Sequence, residues 1–224
     1  MLKKLLWPAM KLMGRLSYAA KFGLISFLFM VPLVFLSGQV FYDSYQSLEK
    51  TESELIAVNN IQHIMSVVYA LEDYRNYAAP AVFKPDDELI ARVKSYRLNV
   101  DNQLKKAMSA IENEELNQQL DMFKKSQFDK LSTEGEARLT TMPDQYKSYQ
   151  SVMDQLYLII NQYSQNTGLA LDSDPEIQQL LLISQVNMPI IRNAAGIGYA
   201  ASIYAMIEKY LQSATYDFLN DIYD

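Results

Sequence analysis

The sequence predicts an all-α protein in which one transmembrane helix is followed by an extended antiparallel helical bundle. Three observations predict it. Residues 22–42, FGLISFLFMVPLVFLSGQVFY, run for 21 positions without a charge; at about 1.5 Å per helical residue they span roughly 30 Å, the thickness of a bilayer's hydrocarbon core. Seven Gly and seven Pro are few for 224 residues, while Leu, Ala, Gln, Lys, Glu and Met dominate, which is a helical composition. Beyond residue 42, apolar residues recur at steps of three and four.

Charge sets the direction of the span. Lys3, Lys4, Lys11, Arg15 and Lys21 precede it with no acid among them; beyond it, 15 basic residues face 26 acidic ones, a net charge of −11. The positive-inside rule then keeps the head in the cytoplasm and exports the body. Trp7 and Tyr18 suit the inner headgroup level. A cleaved signal peptide shows the same order of basic, apolar and polar residues. Against it, the apolar run exceeds the usual length and nothing like A-x-A precedes Asp43. Pro32 is tolerated within a membrane helix. The expected organisation is a cytoplasmic basic head at 1–21, a transmembrane helix at 22–42 and an exported helical-bundle domain at 43–224, expected to continue beyond the last residue given.

The exported part is long enough to bury one core. Cysteine is absent, so disulfides contribute nothing and thiolate chemistry is excluded. The acidic balance argues against nucleic acid as a partner. From Asp43, Leu48, Leu55, Val58, Ile61, Met65, Val68 and Leu71 mark one face of a helix continuing from the span, with no breaker before Pro80. An isolated helix of this kind needs partner helices or a second copy of itself, which makes a homodimer the expected state.

Pro80 and Pro85 bracket a turn, after which Asp86, Asp87 and Glu88 favour a helix start. Ile90, Val93, Val100, Leu104, Ala107 and Ile111 form its stripe, with Arg97 as the polar intrusion. The five-residue step from Ile111 to Leu116 predicts a tight turn at Asn113 and a third helix carrying Leu116, Leu120, Phe123 and Leu131; one uninterrupted helix is the alternative. The pattern fails from Ser132 to Pro143, around Gly135. Tyr146, Tyr149, Val152, Met153, Leu156, Ile159, Ile160 and Tyr163 then give the strongest stripe. Gly168 suits a left-handed helix end. Ser173, Asp174, Pro175 and Glu176 open a last helix, through a capping box or an Asp174 cap. Helical spacing continues from there to the end of the chain, with a kink at Pro189. Gly196 and Gly198, inside a run of small residues from Ala194 to Ala205, predict close approach of a neighbouring backbone; a small-ligand cleft over that face is the other reading.

No GxSxG, HExxH, P-loop, Rossmann or kinase signature occurs, so no enzyme and no cofactor are expected. His63 has no second His or Cys to complete a metal site and reads as structural. Glu112, Glu114 and Glu115, or Asp172 and Asp174, read as solvated helix-start acids rather than metal ligands. Arg75, in LEDYRNYAA, and Arg192, in NMPIIRNAAG, stand among apolar and aromatic neighbours. Such an arginine clamps a carboxylate ligand bidentately, or pairs with an internal acid such as Glu72 or Asp73, or snorkels from the surface. Arg75, Arg192 and Tyr199, the last within the small-residue run, are the candidate ligand-binding residues.

The head KLMGRLSYAAKFGLISFLFMVPL resembles the start of bacterial methyl-accepting chemotaxis proteins. NTGLALDSDPEIQQLLLISQVNMPIIRNAAGIG is similar to their exported helical sensor region, and LEDYRNYAA resembles the arginine-bearing segment of its first long helix. Ile197, Gly198 and Tyr199 depart from the family's pattern. The same module is shared with membrane-bound diguanylate cyclases and histidine kinases. The resemblance implies a periplasmic sensor of the bacterial inner membrane that takes a small-molecule or periplasmic-protein ligand. A membrane-anchored structural or assembly protein without a ligand is the alternative.

Overall fold

The computed structural model describes residues 17–84, 87–131, 141–171 and 175–221, and its regular structure there is entirely helical. Helix α1 covers Tyr18–Ala81. The chain divides into two units, Met1–Glu52 and Ser53–Asp224.

In the first unit the apolar side chains of α1 from residue 22 to residue 42 are exposed. Phe22, Phe29, Phe35 and Phe41 are all more than 70 % exposed. Among the described residues α1 is the helix long and apolar enough to cross a membrane, with a mean hydropathy of 2.1 over its most apolar stretch. Most of the basic head, 1–16, lies outside the described residues.

The second unit is built on the later part of α1, where Ala57, Ile61, Ile64, Val68, Leu71, Tyr74 and Ala78 are buried at helical spacing. Its inward face differs from the expected one. Leu48 and Leu55 are about 70 % exposed and Val58 lies outside, while small Ala57 and polar Asn60 turn inward, where Asn60 Nδ2 donates to the Tyr163 hydroxyl at 2.7 Å. A hydropathy stripe cannot distinguish this rotation, because it counts neither size nor hydrogen bonding. The helix also runs through Pro80, whose carbonyl accepts from the Phe83 amide at 3.2 Å to close the turn; a proline in a last turn forfeits only one bond. The expected start at Pro85 and Asp86 lies outside the described residues.

Helix α2 (Asp87–Ala110) carries Asp87 and Glu88 in its first turn and buries Leu89, Val93, Val100, Leu104 and Ala107. Arg97 donates to the carbonyls of Leu131, at 2.6 Å, and Phe128, at 3.4 Å, satisfying acceptors that a helix end leaves open. Asn113 breaks the chain as the phase slip predicts: its Oδ1 accepts from the Leu116 amide at 2.8 Å and caps α3 (Glu114–Phe123). A π-helical turn at Lys124–Phe128 follows. The wider turn adds one residue between inward positions, so Phe128, five after Phe123, is fully buried.

Helix α4 (Met142–Asn166) begins inside the stretch expected to be irregular, because Thr141 caps it and Pro143 sits in the first turn, where its missing N–H costs nothing. Residues 132–140, Gly135 among them, lie outside the described residues. The α4 stripe is buried from Tyr146 to Tyr163 except for the half-buried Ile159, and Gly168 follows with φ +77°. Asp172, Ser173 and Asp174, and with them the proposed caps, also lie outside; α5 (Pro175–Leu182) starts on Pro175 and buries no residue.

The last expected helix is four elements, of which α5 is the first. A π-helical turn at Ile183–Asn187 precedes α6 (Met188–Glu208), widening the backbone just where the Pro189 ring would press on the preceding turn. Helix α6 then stops at Lys209, in the left-handed region with φ +67°, and α7 (Ser213–Asn220) follows. No glycine or proline marks that stop. One core joins buried residues of α1, α2, α3, α4 and α6.

Candidate functional site

Helix α1 presents Glu72, Arg75 and Asn76 within two turns, and α6 presents Arg192, Asn193 and Gly196 at the same three-and-four spacing. The two faces meet. The Arg75 guanidinium is wholly buried and lies 4.3 Å from the Tyr146 ring centre. Its donors find amide oxygens: Asn76 Oδ1 at 3.1 Å from Nε and 3.0 Å from Nη2, Asn193 Oδ1 at 3.0 Å from Nη1, and Gln150 Oε1, also from Nη1. No carboxylate among the described residues pairs with it directly. Burial pushes its pKa down, while the Tyr146 ring oxygen and the more distant Glu72 charge oppose that shift. Arginine keeps its proton even so.

Arg192 takes the acid. Its Nε donates to Glu72 Oε2 at 2.7 Å and its Nη2 donates to the same oxygen, with the guanidinium 4.2 Å from the Tyr69 ring centre. Glu72 is buried whereas Arg192 is partly open to solvent, and the hydrogen bond to Glu72 raises the Arg192 pKa. Asp73 is exposed, yet partial loss of water around its carboxyl, reinforced by the Glu72 charge, raises its pKa.

Gly196 leaves the room that these side chains occupy. A Cβ built there would lie 2.4 Å from Arg75 Nη2, 2.8 Å from the Tyr146 hydroxyl and 2.9 Å from Asn76 Oδ1, whereas at Gly198 it would meet nothing within 4 Å. The expected approach of a neighbouring backbone is found at neither glycine: side chains pack against Gly196, and nothing packs against Gly198. Tyr146 donates toward Asn193, at 3.2 Å from Oδ1, and its own ionisation is pushed up by burial.

Tyr199 belongs to a second group. Its hydroxyl shares a 2.5 Å hydrogen bond with that of Tyr77, and the Tyr77 ring stacks on Tyr96 with centres 4.7 Å apart. The shared proton and the adjacent Arg92 lower the Tyr77 pKa, and the same bond raises that of Tyr199 to about 12. Tyr77 and Tyr199 border a cleft of about 630 Å³ between the end of α1, the start of α2 and α6.

The structure thus joins Arg75 and Arg192 at one helix contact and sets Tyr199 apart at a cleft. Asn193, Gln150 and Tyr146 were not legible as partners of Arg75, because amides and tyrosines are ordinary on helix surfaces; the Gly196 in a helix interior was the available signal. Among the described residues no three His, Cys, Asp or Glu side chains converge as a metal site, and Glu112, Glu114 and Glu115 are exposed around the α3 cap. The chain matches no protein-family model, and comparison with curated proteins and with solved structures finds no match.

Proposed function

We propose that this chain is the sensor portion of a bacterial transmembrane signalling receptor of the chemotaxis type. In this reading, residues 22–42 cross the inner membrane, the basic head stays in the cytoplasm, and an antiparallel bundle of helices, paired in a homodimer, lies in the periplasm. A small molecule or a periplasmic protein would shift α6 against α1 by an ångström or two, and α1 would carry that shift inward. The observation that carries the proposal is that α1 has no break between Tyr18 and Ala81, so one helix holds both the uncharged run and the Glu72 and Arg75 contacts to α6. The composition of the head and the three stretches that resemble chemotaxis receptors support the same reading.

Topology is the first test. Alkaline phosphatase fused after Asp224 should be active in living bacteria and a green fluorescent reporter fused there should stay dark; the opposite pattern would place the body in the cytosol and end the proposal. Coupling is the second. Two or three glycines inserted after Ser47 in the full receptor should uncouple output from stimulus, and unchanged signalling would remove the role given to α1.

A further inference from the structure

Helix α1 ends, α2 begins and α6 passes beside a cleft whose walls differ in chemistry. Leu89 and Ile203 are buried beneath it, and Met206, 66 % exposed, stands at its lip as an adaptable apolar side chain. The joined hydroxyls of Tyr77 and Tyr199 form one wall. Lys84, Arg92 and Lys209 stand around it with Glu88 as the acid among them. Glu88 is occupied by Arg92 at 2.9 Å, and no carboxylate among the described residues pairs with Lys84 or Lys209. Beyond residue 42 acids outnumber bases by eleven, so a patch where, among the described residues, three cations line the cleft with one acid runs against the charge of its surroundings.

Lys209 adds an independent observation. It is the one non-glycine residue with positive φ among the described residues, and such a conformation in a side-chain-bearing residue is unfavourable and gathers at binding sites. Glycine would end α6 without strain. Lysine there sets an ammonium group at the cleft instead.

We infer that this cleft binds a small organic carboxylate with an aromatic or branched apolar body, the anion held by Lys84 and Lys209 and the body lying between the tyrosine pair and the Leu89 and Ile203 floor. A volume near 630 Å³ falls in the range of sites for small organic ligands, roughly 300–1,000 Å³, and far exceeds what a bare inorganic anion fills. Buried apolar side chains give such an anion no compensation for lost water. An apolar body does gain there, and its carboxylate finds ammonium groups that no carboxylate among the described residues holds. The biological purpose of this site rests on the sensor reading, but binding is measured without any signalling readout. A failed titration therefore leaves the topology test untouched, and a failed topology test leaves the titration standing.

The test uses the full chain in phosphatidylcholine nanodiscs, titrated calorimetrically with phenylacetate, benzoate, phenylpyruvate and isovalerate, with phenylacetamide and sulfate as the neutral and inorganic counterparts. At least one carboxylate should bind saturably, with phenylacetamide and sulfate roughly tenfold weaker or more, and the pair Lys84→Gln with Lys209→Gln should weaken the carboxylate by a similar factor. Lys209→Gly supplies the second variant: it should hold or raise the melting temperature while lowering affinity, whereas a lysine that merely ends a helix would lose none. The inference is overturned if no carboxylate binds at about 10 mM, if the amide or sulfate binds as well as the acid, or if binding survives the double substitution.

Discussion

Gly196 and Gly198 stand two positions apart in α6, and their surroundings differ completely. Alanine at 198 enters open space and should stabilise the helix by up to about 1 kcal/mol. Alanine at 196 must displace an Arg75 guanidinium that Asn76, Gln150 and Asn193 all hold. Charge-assisted bonds of that kind are worth about 1.5–3 kcal/mol, so Gly196→Ala should lose stability despite its better helix propensity. Thermal unfolding of the two variants checks the contrast, and equal shifts would mean that Arg75 moves freely. Asp73 gives a prediction in pH. Its folded pKa is raised, first by partial loss of water around the carboxyl and then by Glu72, so the folded chain holds that proton more tightly than the unfolded chain does. Its favourable contribution is present at low pH and is lost as pH rises through the window above 3.8. Asp73→Asn should therefore raise the melting temperature at pH 7, and the gain should fade as pH falls toward that value; a gain independent of pH would assign it to another cause.

At the scale of elements, periodicity located the helices and missed what bends them. The stripe of α4 and the break at Asn113 were readable because each depends on local spacing and a local cap. Phe128 was not assigned to the core, since its burial needs the extra residue of a π-helical turn, which has no residue signature. Phe128→Ala should therefore cost about 3–5 kcal/mol, as loss of a buried ring does, whereas the exposed Met122 replaced by alanine should change stability by no more than about 0.5 kcal/mol. Denaturant titration distinguishes them. The stop of α6 was equally hidden. Lys209 takes a left-handed conformation that favours glycine, and its amide closes the helix end on the Ala205 carbonyl at 2.9 Å, a stop that the residue type does not announce.

For the molecule as a whole, buried phenols predict how the fold fails in alkali. Burial raises the pKa of Tyr146, Tyr149 and Tyr157 above the ordinary 10. Unfolded chains ionise first, so stability should fall as pH rises through 10 and beyond; circular dichroism across that range would show it, and a flat profile would mean that these rings are open to water. Of the candidate site, Arg75 and Arg192 were legible as charges in apolar settings and Glu72 as an acid that one of them could meet, but neither which arginine takes it nor the amides around Arg75 were. Which acid an arginine meets depends on residues more than a hundred positions away, as with Glu72 and Arg192. The sequence by itself determined the helical class, the uncharged run and the asymmetry of charge around it, because composition, spacing and net charge are sums over neighbours along the chain. Tertiary structure alone decided the rotation of α1 that turns Asn60 inward, the burial of Arg75 among amides and the cleft beside Tyr199, because each depends on the distance between side chains that the chain brings together only on folding.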